Sequence, residues 1–255
     1  MAVLQAQGLG VTYQAENGEV RAFRDISFSV EAGQFISIVG PSGCGKSTLL
    51  SALAGLLAPT TGQVLVMGKP AAGISPHIGY MLQRDALLEW RTIWQNVLFG
   101  LEVRGQVNDE TRTRARRLLD SYGLGGFADK YPRQLSGGMR QRASLIRTLA
   151  AGPDILLLDE AFSALDYQTR LQVTEDVYAI LKREGATALM VTHDIPEAIS
   201  MADRVLILSA RPGRLREDLP IAFPGLGRRT PLSCRSHPAF QTYFDHIWKE
   251  LKRDA

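Results

Sequence analysis

Cysteine is scarce in this sequence, and long apolar runs are missing. Only Cys44 and Cys234 occur among the 255 residues, which excludes a disulfide framework or a cysteine-based metal site and is typical of a reducing compartment. The sequence has no run of about 18 apolar residues, and residues 1–6 lack the basic and apolar regions of a signal peptide. We therefore expect no membrane span, and any work at a membrane should need a separate partner.

Neither sign of charge is in large excess. The formal net charge is +3, and charged residues make up 22% of the chain. That balance is too weak to indicate nucleic acid by itself, although it is compatible with an anionic membrane surface. Hydrophobic residues account for 45%, which is enough for a packed interior and argues against disorder. The chain is long enough for one large domain or for a core with a subdomain.

One glycine-rich stretch matches a phosphate-binding pattern. Residues 40–47 read GPSGCGKS, which fits G-x-x-x-x-G-K-[ST] at every fixed position. An apolar run at residues 34–39 predicts a strand before the loop, and residues 47–53 predict a helix after it, as the motif requires. In such a loop Lys46 would reach the β- and γ-phosphates and Ser47 would ligate Mg²⁺. The alternative is an ordinary glycine turn before a helix.

The rest of the chain predicts an α/β fold. Short strand-like runs up to residue 39, with a hairpin-type turn at Asn17-Gly18, indicate an N-terminal antiparallel β layer. Further strands are predicted at residues 63–67, 78–82, 155–158, 186–191 and 204–208, and further helices at residues 92–104, 109–122, 136–151 and 167–183. Continuous apolar strands that alternate with amphipathic helices predict a mostly parallel sheet covered on both faces.

Two segments depart from this alternation. Residues 84–151 contain helical patterns and no convincing strand, which indicates a helical subdomain inserted into a domain of residues 1–208. Residues 209–255 form a C-terminal extension that ends in an amphipathic helix. One face of that helix carries Phe240, Tyr243, Phe244, Ile247, Trp248 and Leu251. We expect this face to pack on the same domain, with contact to a partner or a membrane as the alternative.

Two acidic residues directly follow the predicted strand 155–158. An acidic residue at a strand end beside a phosphate-binding loop is suited to the Mg²⁺ shell, and Asp159 has that position. Glu160 comes next and is placed to polarise the water that attacks the γ-phosphate. The alternative is a solvated loop or a helix cap. The presence of Lys46 favours the catalytic interpretation.

A second helix start also has the character of an anion site. Residues 135–142 read LSGGMRQR, in which Ser136 is a natural N-cap and Gly137 and Gly138 leave backbone N–H groups accessible. One chain thus has two phosphate-seeking helix starts but only one lysine-bearing loop. This suggests that one of them serves a nucleotide held by another copy. Alone, such a start would more often be only a cap.

Five segments together resemble ABC transporter ATPase subunits. Residues 40–47, 135–142, 156–160, 163–166 and 192–194 occur in the order and approximate spacing of that family, over nearly the whole chain up to about residue 208. The resemblance implies a P-loop NTPase core. It also implies a head-to-tail dimer in which each ATP lies between the loop of one subunit and the Ser136-Gly137-Gly138 signature of the other.

The resemblance also implies roles for single residues. Tyr13 would stack on adenine, Asp166 would join the two sites across the dimer, and His193 would contact the γ-phosphate. Gln83 would sense Mg²⁺ and water and face the membrane partner. The implied nucleotide-binding set is Tyr13, Gly40, Ser42, Gly43, Cys44, Gly45, Lys46, Ser47, Thr48, Gln83, Ser136, Gly137, Gly138, Asp159 and Asp166. The implied catalytic residues are Lys46, Glu160 and His193, and the implied metal ligands are Ser47, Gln83 and Asp159.

Residues 87–97 and 211–214 are similar to the nitrate, sulfonate and taurine uptake branch of the family, although Glu89 stands where that branch usually has proline. The resemblance implies ATP and Mg²⁺ as cofactors, and a second copy, membrane permease subunits and an extracytoplasmic solute-binding protein as partners. The expected location is the cytoplasmic face of the cell membrane, without a nucleic-acid partner. Export or extraction of lipids or lipoproteins remains an alternative. A soluble ABC ATPase that acts on nucleic acid is less favoured.

Overall fold

The computed structural model describes residues 1–15 and 18–253. The turn predicted at Asn17-Gly18 includes Asn17, which lies outside the described residues. In chain order, the strands are β1 (Ala2–Ala15), β2 (Gly18–Glu31), β3 (Phe35–Val39), β4 (Thr61–Val66), β5 (Lys69–Pro70), β6 (Ile78–Met81), β7 (Ile155–Asp159), β8 (Thr187–Val191), β9 (Arg204–Leu208) and β10 (Leu215–Pro220). The α-helices are α1 (Lys46–Leu53), α2 (Ile93–Val103), α3 (Asp109–Ser121), α4 (Gly137–Ala150), α5 (Tyr167–Arg183), α6 (Ile195–Met201), α7 (Pro231–Arg235) and α8 (Pro238–Lys252).

The strands form two sheets. The antiparallel sheet has the order β2-β1-β4-β5, and the larger sheet has the order β10-β9-β3-β8-β7-β6. In the larger sheet, every neighbouring pair from β9 to β6 is parallel, and only β10 runs antiparallel. This arrangement confirms the predicted α/β fold with a mostly parallel sheet and an N-terminal antiparallel layer. The crossovers bring the carboxyl ends of β3, β7 and β8 to one edge, where ligand sites form in such sheets.

The apolar strands are buried on both faces. In β3, Phe35 and Val39 belong to the core cluster beneath the helices, whereas Ile36 and Ile38 belong to the cluster shared with the antiparallel sheet. Side chains alternate across a strand, so a strand covered on both sides is apolar at most positions, and Ser37 is the one polar residue of β3. This explains why the central strands could be recognised from continuous apolar runs.

The segment between β6 and β7 contains helices and no strand across residues 82–154, all of which are described. Helix α2 begins with a capping box between Thr92 and Gln95, and α3 begins with one between Asn108 and Thr111. Each box satisfies backbone N–H groups that a helix start leaves without intrahelical partners. Among residues 1–15 and 18–253, none of the helices has the length and apolar character that crossing a bilayer requires.

The C-terminal helix α8 packs on the domain, as predicted. Ile247 is completely buried. Four other residues of the predicted face, Phe240, Tyr243, Phe244 and Leu251, pack against the same core cluster. Trp248 is the exception, because its side chain is 48% exposed.

Sequence reasoning did not predict β5, β10, α6 or α7. The first has two residues, and α6 and α7 are short helices of seven and five residues. Strand β10 is an edge strand with the sequence LREDLP. The charged residues explain why the sequence did not predict β10, because an edge strand need not be apolar on both faces.

Candidate functional site

The loop of residues 40–47 joins β3 to α1. Gly43 and Gly45 have φ angles of 78° and 96°, a left-handed conformation that side chains disfavour. A Cβ on Gly40 would lie 2.7 Å from Cys44 Sγ. Lys46 Nζ donates to the carbonyl oxygens of Gly40 at 2.7 Å and Pro41 at 3.0 Å, so the ammonium group lies over the loop.

The interior of this loop is supported by the chain beyond β9. Cys44 is fully buried, and burial raises the pKa of its thiol, so it packs as a small neutral side chain. A Cβ on Gly213 would lie 2.2 Å from Cys44 O. Gly213 is fixed there because its N–H donates to Ala22 O and its carbonyl oxygen accepts from Arg24 N, both at 2.9 Å. The segment 211–214, noted only for its resemblance, is therefore part of the loop's packing.

Ser47 and Asp159 meet at the carboxyl edge of the parallel sheet. Ser47 Oγ donates to Asp159 Oδ1 at 3.0 Å, and Tyr80 OH donates to Asp159 Oδ2 at 3.0 Å. Burial and the charge of Asp159 raise the pKa of Tyr80, so the phenol remains a donor. Sequence reasoning placed Tyr80 in a strand and missed this contact.

A hydroxyl oxygen beside a carboxylate fits Mg²⁺, which takes few protein ligands and completes its shell with water and substrate phosphates. Ser47 and Asp159 would supply those protein ligands. Within the described residues there is no group of three His, Cys, Asp or Glu side chains able to hold a metal.

Glu160 has an unusual backbone conformation next to Asp159. Its φ angle is 45°, and its N–H donates to Val191 O at 2.9 Å. Its carboxylate Oε2 lies 3.2 Å from His193 Nδ1. A left-handed backbone at a non-glycine residue is strained and is found mainly where function requires it. The strain turns the Glu160 side chain toward the loop that follows β8.

Gln83 joins the same group of side chains. Its Nε2 donates to Ser163 Oγ at 3.3 Å, and Ser163 Oγ donates to Glu160 O at 2.9 Å. The chain after Gln83 is held by α4, because Arg140 Nε donates to Asp85 Oδ2 at 3.0 Å. The sequence predicted that Gln83 belongs to the site, but it predicted none of these three contacts.

Tyr13 lies beside the start of α1. Its hydroxyl donates to Thr48 Oγ1 at 3.4 Å, and the residue is 42% exposed. An exposed aromatic ring next to the loop can stack on a planar group. The stacking of Tyr13 on adenine stays a prediction, and the structure places the ring beside the loop.

Asp166 caps α5 and is fully exposed. Its Oδ1 accepts from Thr169 N at 3.1 Å, and hydrogen bonds from Thr169 hold the pKa of Asp166 below its usual range. The loop before it is held by Arg170, which donates to Ser163 O at 3.3 Å and Leu165 O at 2.8 Å. Arg170 also contacts Asp194 Oδ2 at 3.3 Å. One guanidinium therefore links the Asp166 loop to the His193 loop.

A buried carboxyl group supports the His193 loop from behind. Glu197 is completely buried, and burial raises its pKa to about 7. It accepts a short hydrogen bond from Thr192 Oγ1, whose oxygen accepts from Asp194 N at 3.0 Å. Asp194 Oδ1 in turn accepts from Glu197 N at 2.9 Å. Sequence reasoning missed Glu197, although an N-capping Asp three residues before a Glu is a recognisable helix start.

The segment 136–138 lies on the other side of the Asp166 loop. Ser136 Oγ accepts from Met139 N at 3.3 Å as the N-cap of α4. A Cβ on Gly137 would lie 3.2 Å from Leu165 Cδ2, and one on Gly138 would lie 2.9 Å from Val173 Cγ2. The neighbours of the segment 136–138 are therefore residues in and just before the first half of α5. No hydrogen bond joins it to the loop 40–47 in the part of the chain that the structure describes.

The chain is similar in sequence and structure to known proteins. The profile of the family described as ABC transporter matches residues 23–163. Over 251 residues the chain is 47% identical to the uncharacterized ABC transporter ATP-binding protein YtlC of Bacillus subtilis, covering 98% of this chain and 96% of that protein. The chain belongs to the ABC transporter family. It is an ATPase of that family, as predicted.

Two further ABC proteins are informative. The nitrate import ATP-binding protein NrtD of Synechocystis is 40% identical over 253 residues, covering 98% of this chain and 95% of that protein. A dimeric post-hydrolysis structure of the ATP-binding cassette MJ0796 with ADP and Pi has a TM-score of 0.71 and 28% identity, covering 86% of this chain and 99% of the cassette. The predicted ABC transporter ATPase fold is confirmed.

In this ABC ATPase, most predicted site residues lie in one connected group. Lys46, Ser47, Asp159, Glu160 and His193 surround the carboxyl edge of the sheet, and Gln83 reaches them through Ser163. The exceptions are Ser136, Gly137 and Gly138, which contact α5 and its preceding loop instead. The two predicted anion-binding segments thus lie at separate places in the chain.

Proposed function

We propose that this ABC ATPase drives the uptake of a small solute, nitrate-, sulfonate- or taurine-like or a related organic compound, through a separate membrane permease. The observation that carries the proposal is the group formed by the Ser47–Asp159 pair and the Glu160–His193 pair at one sheet edge. The importer assignment is supported by the name of the nitrate import relative. The similarity of residues 87–97 and 211–214 to that branch also supports it.

The residues in this group suit ATP hydrolysis. The N–H groups of residues 40–47 and the Lys46 ammonium would bind the β- and γ-phosphates. Ser47, Asp159 and Gln83 would hold Mg²⁺, which when bound offsets phosphate charge. Glu160 would accept a proton from the attacking water, and His193, which lies 3.2 Å from the Glu160 carboxylate, would orient that carboxylate and contact the γ-phosphate. Tyr13 would stack on the base.

A second copy would complete each site. Ser136, Gly137 and Gly138 begin a helix whose N–H groups suit a phosphate, yet they lie apart from the loop of their own chain. We infer that they bind the nucleotide of a partner copy. Asp166, fully exposed at the start of α5, would lie between the two sites. Dimer formation would therefore depend on ATP.

The remaining partners are membrane proteins. On either side of Gln83, the side chain of Leu82 is 49% exposed and that of Trp90 is 74% exposed, and exposed apolar side chains of this kind suit a protein contact. We propose that residues 82–91 contact the permease at the cytoplasmic face of the membrane and that a solute-binding protein delivers the solute from the other side. In this proposal, residues 1–208 form the ATPase domain with a helical subdomain at residues 84–151, and residues 209–255 form an extension.

The test is affinity purification of Glu160→Gln from detergent-solubilised membranes with and without ATP. The substitution removes the proton acceptor, so the closed dimer should persist. We expect ATP-dependent recovery of a multi-span permease, identified by mass spectrometry. Nitrate, taurine and alkanesulfonate uptake are then measured in proteoliposomes. Recovery of only soluble or nucleic-acid partners would overturn the transport role, and lipid movement instead of uptake would overturn the importer assignment.

A further inference from the structure

A second cavity lies away from the nucleotide site. It has a volume of about 740 Å³ and is lined by residues 121–123 after α3, by Arg142 of α4, by α5 and by residues 228–230 of the C-terminal segment. That volume is typical of sites for small molecules. None of the nucleotide-binding, catalytic or metal-binding residues named above lines it. We call it the α5 cavity.

The lining of the α5 cavity is rich in positive charge. Its cationic side chains are Arg142, Lys182, Arg183, Arg228 and Arg229. Glu175 and Asp176 are its acidic side chains. Glu175 accepts a short hydrogen bond from Leu232 N, and Asp176 lies 3.6 Å from Arg142 and accepts from Gln172 at 3.1 Å. The excess of cations therefore favours an anionic ligand.

Two of these arginines are held by the chain itself. Arg142 Nη1 donates to Tyr122 O at 3.4 Å, and the Nη atoms of Arg229 donate to Asp203 Oδ1 and to Ala202 O. Their Nε atoms are buried and have no hydrogen-bond partner among residues 1–15 and 18–253, so a ligand in the cavity does not reach them. Arg183 and Arg228 are exposed and line the cavity, so their charges are accessible to a ligand.

The α5 cavity also has an apolar side. Tyr122, Tyr178 and Ile180 contribute to its lining. Arg183 lies 5.9 Å from the Tyr122 ring centroid, and Lys182 lies 5.7 Å from that of Tyr178. A ligand bound here would meet guanidinium groups and aromatic rings together.

We propose that the α5 cavity binds a small organic anion. Its sulfonate, phosphate or carboxylate group is attracted by the cationic side chains of the lining, above all Arg183 and Arg228, and its apolar body packs against Tyr122 and Tyr178. Because Arg183 belongs to α5 and Arg228 to the C-terminal segment, the ligand joins these two parts of the chain. This binding does not depend on the identity of the transported solute.

The test uses 4-bromobenzenesulfonate and the full chain with ADP at saturating concentration, so that the nucleotide site is filled. Isothermal titration should show one site per chain. Arg183→Glu combined with Arg228→Glu should weaken binding about tenfold or more, because both charges line the cavity. Arg112→Glu, an exposed arginine of α3 outside the cavity, is the matched control and should change affinity less than about twofold. Each variant should bind ADP normally, which shows that it is folded.

Two related probes separate charge from shape. Sodium sulfate lacks the apolar body and 4-bromobenzyl alcohol lacks the charge, so each should bind about tenfold more weakly than the sulfonate. A crystal soaked in the sulfonate should give a bromine anomalous peak beside Tyr122 or Tyr178. Absence of binding, equal affinity for sulfate or the alcohol, equal loss in the Arg112→Glu control, or a bromine peak elsewhere would overturn the proposal.

Discussion

The Lys46 side chain bonds to its own loop and is also placed to meet a ligand of that loop. Its ammonium group donates to Gly40 O and Pro41 O. These carbonyl oxygens hold the charge close to the loop's N–H groups, so the chain directs a cation to the place where phosphate oxygens bind. The buried thiol of Cys44 packs behind it.

We expect Lys46→Ala to weaken ATP binding about tenfold or more and to abolish turnover, because the variant loses the ammonium group that lies over the loop. The measurements are titration with a fluorescent ATP analogue and phosphate release. Lys69→Ala, at an exposed lysine of β5, is the control and should hydrolyse ATP normally. Normal hydrolysis by Lys46→Ala would contradict the assigned site.

Glu197 is the second residue for which the structure makes a prediction. Its carboxyl group accepts from Thr192, beside His193, and faces the charges of Asp194, Arg170 and Arg235. We expect Glu197→Gln to keep ATP turnover, because an amide can accept the same hydrogen bond. Glu197→Ala should lower kcat more than it changes KM and should destabilise the fold by about 1–3 kcal/mol, because Thr192 loses its acceptor.

The pH dependence of unfolding distinguishes these variants. Burial raises the folded-state pKa of Glu197 to about 7 from its ordinary value of 4.5. Its contribution to stability is therefore fully present below pH 4.5 and is lost as pH rises through about 7. Denaturant midpoints measured from pH 5 to pH 8 should fall less steeply for Glu197→Gln than for the natural chain, as an order-of-magnitude expectation. An unchanged slope would show that Glu197 does not titrate in this range.

At the scale of elements, the packing of α8 shows which positions of its apolar face are covered by the rest of the chain. Its apolar face has six positions, and Trp248 alone remains about half exposed, stacked on Phe244 at 6.2 Å between ring centroids. Lys252 lies over the same ring at 5.0 Å. The helix thus uses most of its face within its own chain.

Neighbouring substitutions in α8 should therefore differ in effect. Ile247→Ala should lower the free energy of unfolding by about 2–5 kcal/mol, because Ile247 is fully buried and its removal leaves a cavity. Trp248→Ala should lower it by less, about 1 kcal/mol, because the ring is about half exposed and loses only its contacts with Phe244 and Lys252. Urea denaturation followed by circular dichroism measures both. Equal losses would show that α8 does not pack as described.

At the scale of the whole molecule, the residues that we propose to bind nucleotide lie at two separate places in the chain. Lys46, Ser47 and Asp159 lie at the sheet edge, whereas Ser136 begins α4 beyond the loop that carries Asp166. Arg170 links that loop to the segment after His193. A partner copy that contacts Asp166 would therefore act on a loop already joined to the catalytic group.

Ser136→Ala tests the shared site. We expect monomers to bind ATP with unchanged affinity, because Ser136 does not contact the loop, and we expect turnover to fall about tenfold or more, since the dimer loses a phosphate contact. Mixed dimers of Ser136→Ala with Lys46→Ala, compared with each homodimer, provide the control. Each mixed dimer retains one intact site, so it should recover part of the activity that both homodimers lose. Full activity of Ser136→Ala would contradict the shared site.

The sequence by itself determined the parallel core and predicted the phosphate-binding loop, because both leave local patterns: apolar runs for strands covered on two faces, and glycines followed by Lys46 for the loop. Only the tertiary structure decided what lies next to those residues. The Tyr80–Asp159 bond and the Arg170–Asp194 contact join segments distant in the chain, and the burial of Glu197 depends on how such segments pack. The α5 cavity exists only where α4, α5 and the C-terminal segment meet. Such contacts depend on how the elements pack, and no short stretch of sequence encodes them.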